Sequence, residues 1–370
     1  MRGLNLRNFA FRGIGVLVAL ALAAVAGAQQ ASAASAGLTR AGDYPGTSTF
    51  ALASPVRDGA QHSAAGTFPR AATWGGVYTT SSGNRITMRA SSWFRGDNQW
   101  LQGWANWLDA YLPHGSEFNR LTVMFVPERN SYYDDLGSAC GPGAAGCYFP
   151  DQQLLIAPGN HLSYGVRMES VLAHEYGHHV ANNRSNSPWN AGDYGPKRWA
   201  TRMNICGRAA AGTAFPGDEG AHYKLNPGEA WAETYRQMVW SSHTWTSWPQ
   251  EPWDVVDQSF YPDSTALFYA RQDVTEPWSA DQETMRTFTG KLTKKRRSAT
   301  VSFATLNDGD VSVQLFSPSG ARLTLADGIS GEILDTATAS FSHTSCGERL
   351  LRIRISGPAG KRYRIVVHTP

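Results

Sequence analysis

Hydrophobic and polar positions follow three rhythms along the chain. Trp100, Trp104, Trp107 and Tyr111 fall at spacings of four, three and four, with Leu101, Leu108 and Leu112 widening the stripe. That period predicts an amphipathic helix, and an aromatic stripe flanked by leucines reads as core rather than as a sugar platform. Leu121–Val126 and Leu154–Ala157 are short, continuous, apolar runs ended by Pro127 and Pro158. They predict two buried strands. Helices are expected from about 167 to 183 and from 227 to about 240. Over 241–289, Pro249, Pro252, Pro262 and Pro277 interrupt any period, so short helices and loops are expected.

Beyond residue 290 the period shortens to two. Thr300–Ala304, Val311–Phe316, Arg349–Ile355 and Tyr363–Val367 are separated by turn signals such as Asn307-Asp308-Gly309 and Gly357-Pro358-Ala359-Gly360. This predicts a small all-β sandwich at the C-terminus, over 298–370. The fold class expected is α+β for the body, 71–289, joined to that sandwich through a basic linker at 290–297.

The N-terminus has neither rhythm. Arg2, Arg7 and Arg12 precede an apolar run, Ile14–Ala28, and the small-residue site Ala31-Ser32-Ala33. That is a signal peptide over 1–33, too short in its apolar part to anchor the chain after cleavage. Residues 34–70, rich in Ala, Gly, Ser and Thr, read as a flexible N-terminal segment. A secreted, extracellular protein is therefore expected, in which disulfides can form. Cys140 and Cys147 bracket a Gly-rich loop and are the favoured pair, leaving Cys206 with Cys346.

Composition adds limits. At 42% hydrophobic the 370-residue chain can pack a core and is not a disordered polymer. The net charge of +3 divides into +3 for residues 1–33, −6 for 34–290 and +6 for 291–370. An acidic body excludes a globally nucleic-acid-binding protein. The basic run Lys291–Arg297 reads as a solvated linker.

The candidate chemistry lies in His174-Glu175-Tyr176-Gly177-His178. Histidines four apart share a helical face, so two imidazoles can converge on one zinc ion, while Glu175 flanks it as a general base. His179 lies about 100° further round and is a neighbour rather than a ligand. Such a site needs a third protein ligand. Asn226-Pro227-Gly228-Glu229 reads as a helix start, where Glu229 either closes a capping box or binds metal. Glu233, one turn on, is placed to accept a ligand histidine's N–H. The missing acid ligand favours Glu229 as the third.

These two motifs together resemble the gluzincin metallopeptidases. The resemblance implies a thermolysin-like, zincin-like catalytic domain with Zn2+ held by His174, His178 and Glu229, Glu175 as catalytic base, and Glu233 as the supporting acid. It also implies a Tyr or His that steadies the oxyanion, for which Tyr223, His222 and Tyr235 are candidates, Tyr223 first. An edge strand would pair with extended substrate. Residues 298–370 are similar in texture to the bacterial pre-peptidase C-terminal β-domain. The function expected is a secreted zinc peptidase acting on protein or peptide substrates, with no nucleic acid and no membrane anchor. The alternative is a catalytically silent scaffold of zincin type that binds protein or cell wall. Pro216–Gly220 reads as a turn rather than a calcium loop.

Overall fold

A five-stranded sheet and the helices on it position everything that follows. The computed structural model describes residues 73–128, 136–160, 162–163, 165–241, 255–317 and 320–370. The expected signal peptide, 1–33, and the segment 34–70 lie outside the described residues. Strands β1 (Thr73–Thr79), β2 (Arg85–Ser91), β3 (Thr122–Val126), β4 (Cys147–Phe149) and β5 (Leu154–Pro158) form the sheet in the order β1-β2-β3-β5-β4. Pairing is parallel from β2 through β3 to β5 and antiparallel at both edges.

Helix α1 (Asn98–Tyr111) is the predicted aromatic helix. Asp97 caps it, its Oδ1 accepting from the amides of Gln99 at 2.8 Å and Trp100 at 3.3 Å. Leu101, Trp104, Trp107 and Leu108 are buried in the main core, each contributing about 1.5–3 kcal/mol by removal from water. The aromatic stripe is core.

Helices α2 (Leu136–Cys140), α3 (Met168–Asn182), α4 (Ala191–Tyr194), α5 (Lys197–Arg202), α6 (Ile205–Ala210), α7 (Pro227–Ser241) and α8 (Ser264–Thr275) complete the body. α3 packs on β4, β5 and α7. A helix interior glycine costs about 1 kcal/mol against alanine, and Gly177 has a reason to be there. A Cβ on it would sit 2.8 Å from the Ala232 Cα and 3.0 Å from the Tyr235 Cβ. α3 and α7 therefore cross in near backbone contact, and Trp231 Nε1 donates across that crossing to the Gly177 carbonyl at 2.7 Å.

The C-terminal part is a separate two-sheet sandwich with its own core. β6 (Thr284–Lys291), β7 (Ser298–Thr305), β8 (Gly309–Phe316), β9 (Arg322–Asp327), β10 (Ile333–Ala337), β11 (Ser340–Ser345), β12 (Arg349–Ser356) and β13 (Arg362–Thr369) form sheets β10-β9-β12-β7 and β11-β8-β13-β6. Leu323, Leu325, Leu351 and Ile353 of one meet Val311, Val313, Ile365 and Val367 of the other. The expected boundary needs correcting. β6 pairs with β13 from Thr284↔Thr369 to Lys291↔Arg362, so the β unit begins at Thr284, not 298. The expected linker, 290–297, is the end of β6 and a turn joining the two sheets. The strand was hidden because Phe288 is its one large inward residue among threonines and basic side chains.

The two disulfides pair as expected, Cys140 with Cys147 inside the body and Cys206 of α6 with Cys346 of the β unit. The Asp308 amide also donates to Thr201 Oγ1 of α5 at 2.9 Å. Lys197 of α5 is fully buried, donates to the carbonyls of Ser187 and Asp308, and lies 4.5 Å from the centre of the Trp278 ring. Burial pulls its pKa down to about 8 against the pull of Asp308. Among the described residues, no helix is long and apolar enough to cross a membrane.

Candidate metal centre

The close approach of α3 and α7 brings three predicted residues together. His174 and His178 project from one face of α3, and Glu229 projects from the first turn of α7. Glu229 Oε2 lies 3.2 Å from His174 Nε2, and its Oε1 lies 3.5 Å from His178 Nε2. One ligand atom from each residue falls within 4.8 Å of the others, and all three side chains are buried. Two imidazole nitrogens and a carboxylate oxygen at this separation could hold a metal ion.

Glu229 does not close a capping box. The Asn226 amide donates instead to the Tyr223 carbonyl at 3.0 Å. The helix start is held by Asn226, whose Oδ1 accepts from the amides of Gly228 at 3.0 Å and Gly217 at 3.2 Å. Glu229 is thereby left to face the histidines.

Electrostatics follow from burial and pairing. Burial raises the Glu229 carboxyl, but the charge of His178 and the hydrogen bonds of both histidines outweigh it and hold it well below the usual carboxylate range. Burial lowers the His174 imidazole, and Glu229 and Glu233 outweigh that in turn, raising it. Glu233 Oε2 lies 3.7 Å from His174 Nδ1. Arg236 grips Glu233 from the far side, Nε to Oε2 at 2.8 Å and Nη2 to Oε1 at 2.7 Å. Against desolvation, Arg236 and His174 bring Glu233 down to about 2. The result is a buried row, Arg236–Glu233–His174, with the Glu233 carboxylate beside the imidazole edge that faces away from Glu229.

Glu175, the residue after His174 on α3, is fully buried. A Cβ on Gly146, just before β4, would fall 2.7 Å from Glu175 Oε1 and 2.6 Å from Val171 Cγ1. The chain entering the edge strand thus runs directly over this carboxylate. The Cys140–Cys147 disulfide ties that stretch down.

The three candidate oxyanion donors separate. Tyr223 donates its hydroxyl to Glu229 Oε2 at 2.8 Å and belongs to the centre. His222 Nδ1 pairs with Asp218 at 2.8 Å, its ring stacked on Phe215. Tyr235 donates to the Pro113 carbonyl at 2.6 Å within the core. His179 is likewise engaged elsewhere, between the Tyr148 hydroxyl and the Glu117 carbonyl, each at 3.0 Å. Burial lowers its pKa to about 4. Asp218 accepts from the Gly220 amide at 2.7 Å, so 216–220 is a turn. Sequence reasoning missed Arg236, Gly146 and Gly177. Arg236, three residues after Glu233, was the one of these with a readable signal.

No protein-family model matches the chain, and no curated protein matches it. Two solved structures share local likeness. A Yersinia pseudotuberculosis-derived mitogen is 12% identical over 24% of this chain and 86% of its own, with a TM-score of 0.19. Aeromonas hydrophila PliG, a periplasmic inhibitor of g-type lysozyme, is 8% identical over 25% and 90%, with a TM-score of 0.20. Neither likeness bears on the metal centre.

Proposed function

We propose that the protein is a secreted zinc peptidase of gluzincin type, with His174, His178 and Glu229 as the residues that would hold Zn2+. The observation that carries the reading is the convergence of two histidines and one carboxylate, all buried, beside a buried Glu175. Two nitrogens and one oxygen suit zinc and leave a fourth position open. Zinc held there supplies Lewis acidity, lowering the pKa of water towards about 7 and polarising a carbonyl.

The chain's own residues do the rest. Glu175 accepts the proton of the attacking water and passes it to the leaving amine. Tyr223, whose hydroxyl already points into the centre, turns from Glu229 to the developing oxyanion. Glu233, steadied by Arg236, holds the His174 imidazole. β4 is an edge of the sheet, so an extended peptide can add to it antiparallel and lie across Glu175. The mixed sheet, its antiparallel edge and the two crossed helices support a zincin-like catalytic domain. Two disulfides support export, in keeping with residues 1–33 as a signal peptide.

Metal analysis of the purified protein tests the ligand set. One zinc per chain is expected, with chelator-sensitive cleavage of casein. Glu229→Ala should lose the metal while keeping the fold. Retention of zinc by that variant would move the third ligand elsewhere. Zinc binding without cleavage would favour the silent scaffold.

A further inference from the structure

The basic run at 291–297 was absorbed by neither the metal centre nor the expected linker. In the fold it sits at one end of the β sandwich with two other connections. Leu292 donates its amide to the Lys361 carbonyl at 2.9 Å, Gly360 donates to the Leu292 carbonyl at 2.7 Å, and Gly357 donates to the Arg297 carbonyl at 3.1 Å. A Cβ on Gly320 would lie 3.2 Å from Pro358 Cγ, which brings in the residues just before β9. Leu292 is buried and plugs the end of the sandwich. The tip is a built platform, not a loose tail.

Its charge is of one sign. Residues 291–297 hold five basic residues, 320–324 one and 354–364 four, and these segments hold no acid. Lys294, Lys295, Arg296 and Arg297 are exposed. Among the described residues, no tip cation pairs with a carboxylate; the Arg364 guanidinium lies 4.2 Å above the Phe316 ring. The acids of the unit lie elsewhere. Asp308, Asp310 and Glu348 flank the body-facing end, Asp327 and Glu332 bound the β9–β10 turn, and Asp335 is within β10. The eight-residue strands β7 and β12 separate the two ends by about 25 Å.

We propose that this tip is a docking surface for an anionic polysaccharide, a linear sugar polymer carrying repeated sulfate, phosphate or carboxylate groups. Exposed unpaired cations on a rigid frame match repeated anions at little ordering cost. Thr293, Ser298, Thr300 and Ser356 add hydroxyl groups beside them, suited to sugar hydroxyls. Nucleic acid fits less well, because among the described residues the tip exposes one aromatic, Phe316, with the Arg364 guanidinium over its ring, rather than the series of rings on which successive bases stack. A bilayer fits less well, because Leu292 is turned inward and Phe316, the large apolar side chain exposed at the tip, carries the Arg364 guanidinium over its ring. The acidic body and basic tip also orient the molecule towards a polyanion tip-first.

Fluorescence anisotropy with labelled heparin as probe tests this on the full mature protein. Binding at 50 mM salt should weaken at least tenfold by 200 mM and be unchanged by chelator, so failure of the peptidase reading leaves it untouched. Lys294→Gln/Lys295→Gln/Arg296→Gln should weaken binding at least tenfold, and Lys361→Gln/Arg362→Gln should act in the same direction. Arg85→Gln/Arg95→Gln/Arg271→Gln, which removes equal charge from the body, should change it less than twofold. Equal weakening by tip and body variants would overturn the proposal. So would no binding at 50 mM salt, or tighter binding of a 20-base-pair duplex or of phosphatidylglycerol-containing vesicles.

Discussion

The helix pair of the body and the β sandwich put opposite things inside. Where α3 crosses α7, the buried side chains include His174, Glu175, His178, His179, Glu229, Glu233 and Arg236. The interior of the sandwich is aliphatic and aromatic throughout, and its buried polar residues, Thr305, Asp308, Ser345 and Thr369, lie at the end that meets the body. Most of its basic side chains are outside at the far tip, while Asp308, Asp310 and Glu348 flank the end that meets the body. Buried charge costs several kcal/mol per group unless each is paired. A region that retains so many is a weaker source of stability than apolar packing, and it is the region to which the proposed chemistry is assigned. The sandwich has the stability of ordinary apolar packing and keeps its charge free for a partner.

That contrast can be broken at defined points. The largest effect is expected at Arg236. Arg236→Ala leaves the Glu233 carboxylate buried with one partner fewer, and thermal or denaturant unfolding should show a loss of about 3–5 kcal/mol. A loss below about 1 kcal/mol would mean that Glu233 reaches solvent. The next effect is in pH. His179 is held neutral, its pKa lowered by burial to about 4 from 6.5. Its contribution is complete above 6.5 and is lost as pH falls towards 4. The difference in stability between wild type and His179→Gln should therefore shrink by about 3 kcal/mol over that window. The smallest effect belongs to the sandwich. Ile353→Val should cost about 0.5–1.5 kcal/mol, with no dependence on chelator and none between pH 4 and 6.5.

The same contrast decides what could be read from sequence. Regular apolar periods were legible: α1 from its tryptophans, β3 and β5 from their continuous runs, and the later strands of the sandwich from alternation. The histidine pair was legible from its spacing of four on one helix, and Glu229 from its place at a helix start one turn before Glu233. β1 was not, because Gly75 and Gly76 break its pattern. Gly75 is at φ +115, and a Cβ there would meet the Met88 carbonyl oxygen at 2.3 Å, so β1 depends on close backbone approach that hydropathy does not encode. β6 escaped because its inward positions are Thr284, Arg286, Phe288 and Gly290, with one large apolar residue among them to announce a strand. The Gly177–Ala232 crossing and the Gly146–Glu175 contact are tertiary coincidences, visible only once the helices are packed. The capping-box alternative for Glu229 is removed by the Tyr223 carbonyl, which occupies the Asn226 amide.

The proposed hydrolysis rests on the buried Glu175 carboxylate as its base. Glu175→Gln removes its basicity and leaves the three candidate ligands untouched. This variant should retain one zinc per chain, while casein cleavage falls by about 10²–10⁴-fold, the usual scale for a general base. Cleavage at the wild-type rate with zinc retained would contradict it.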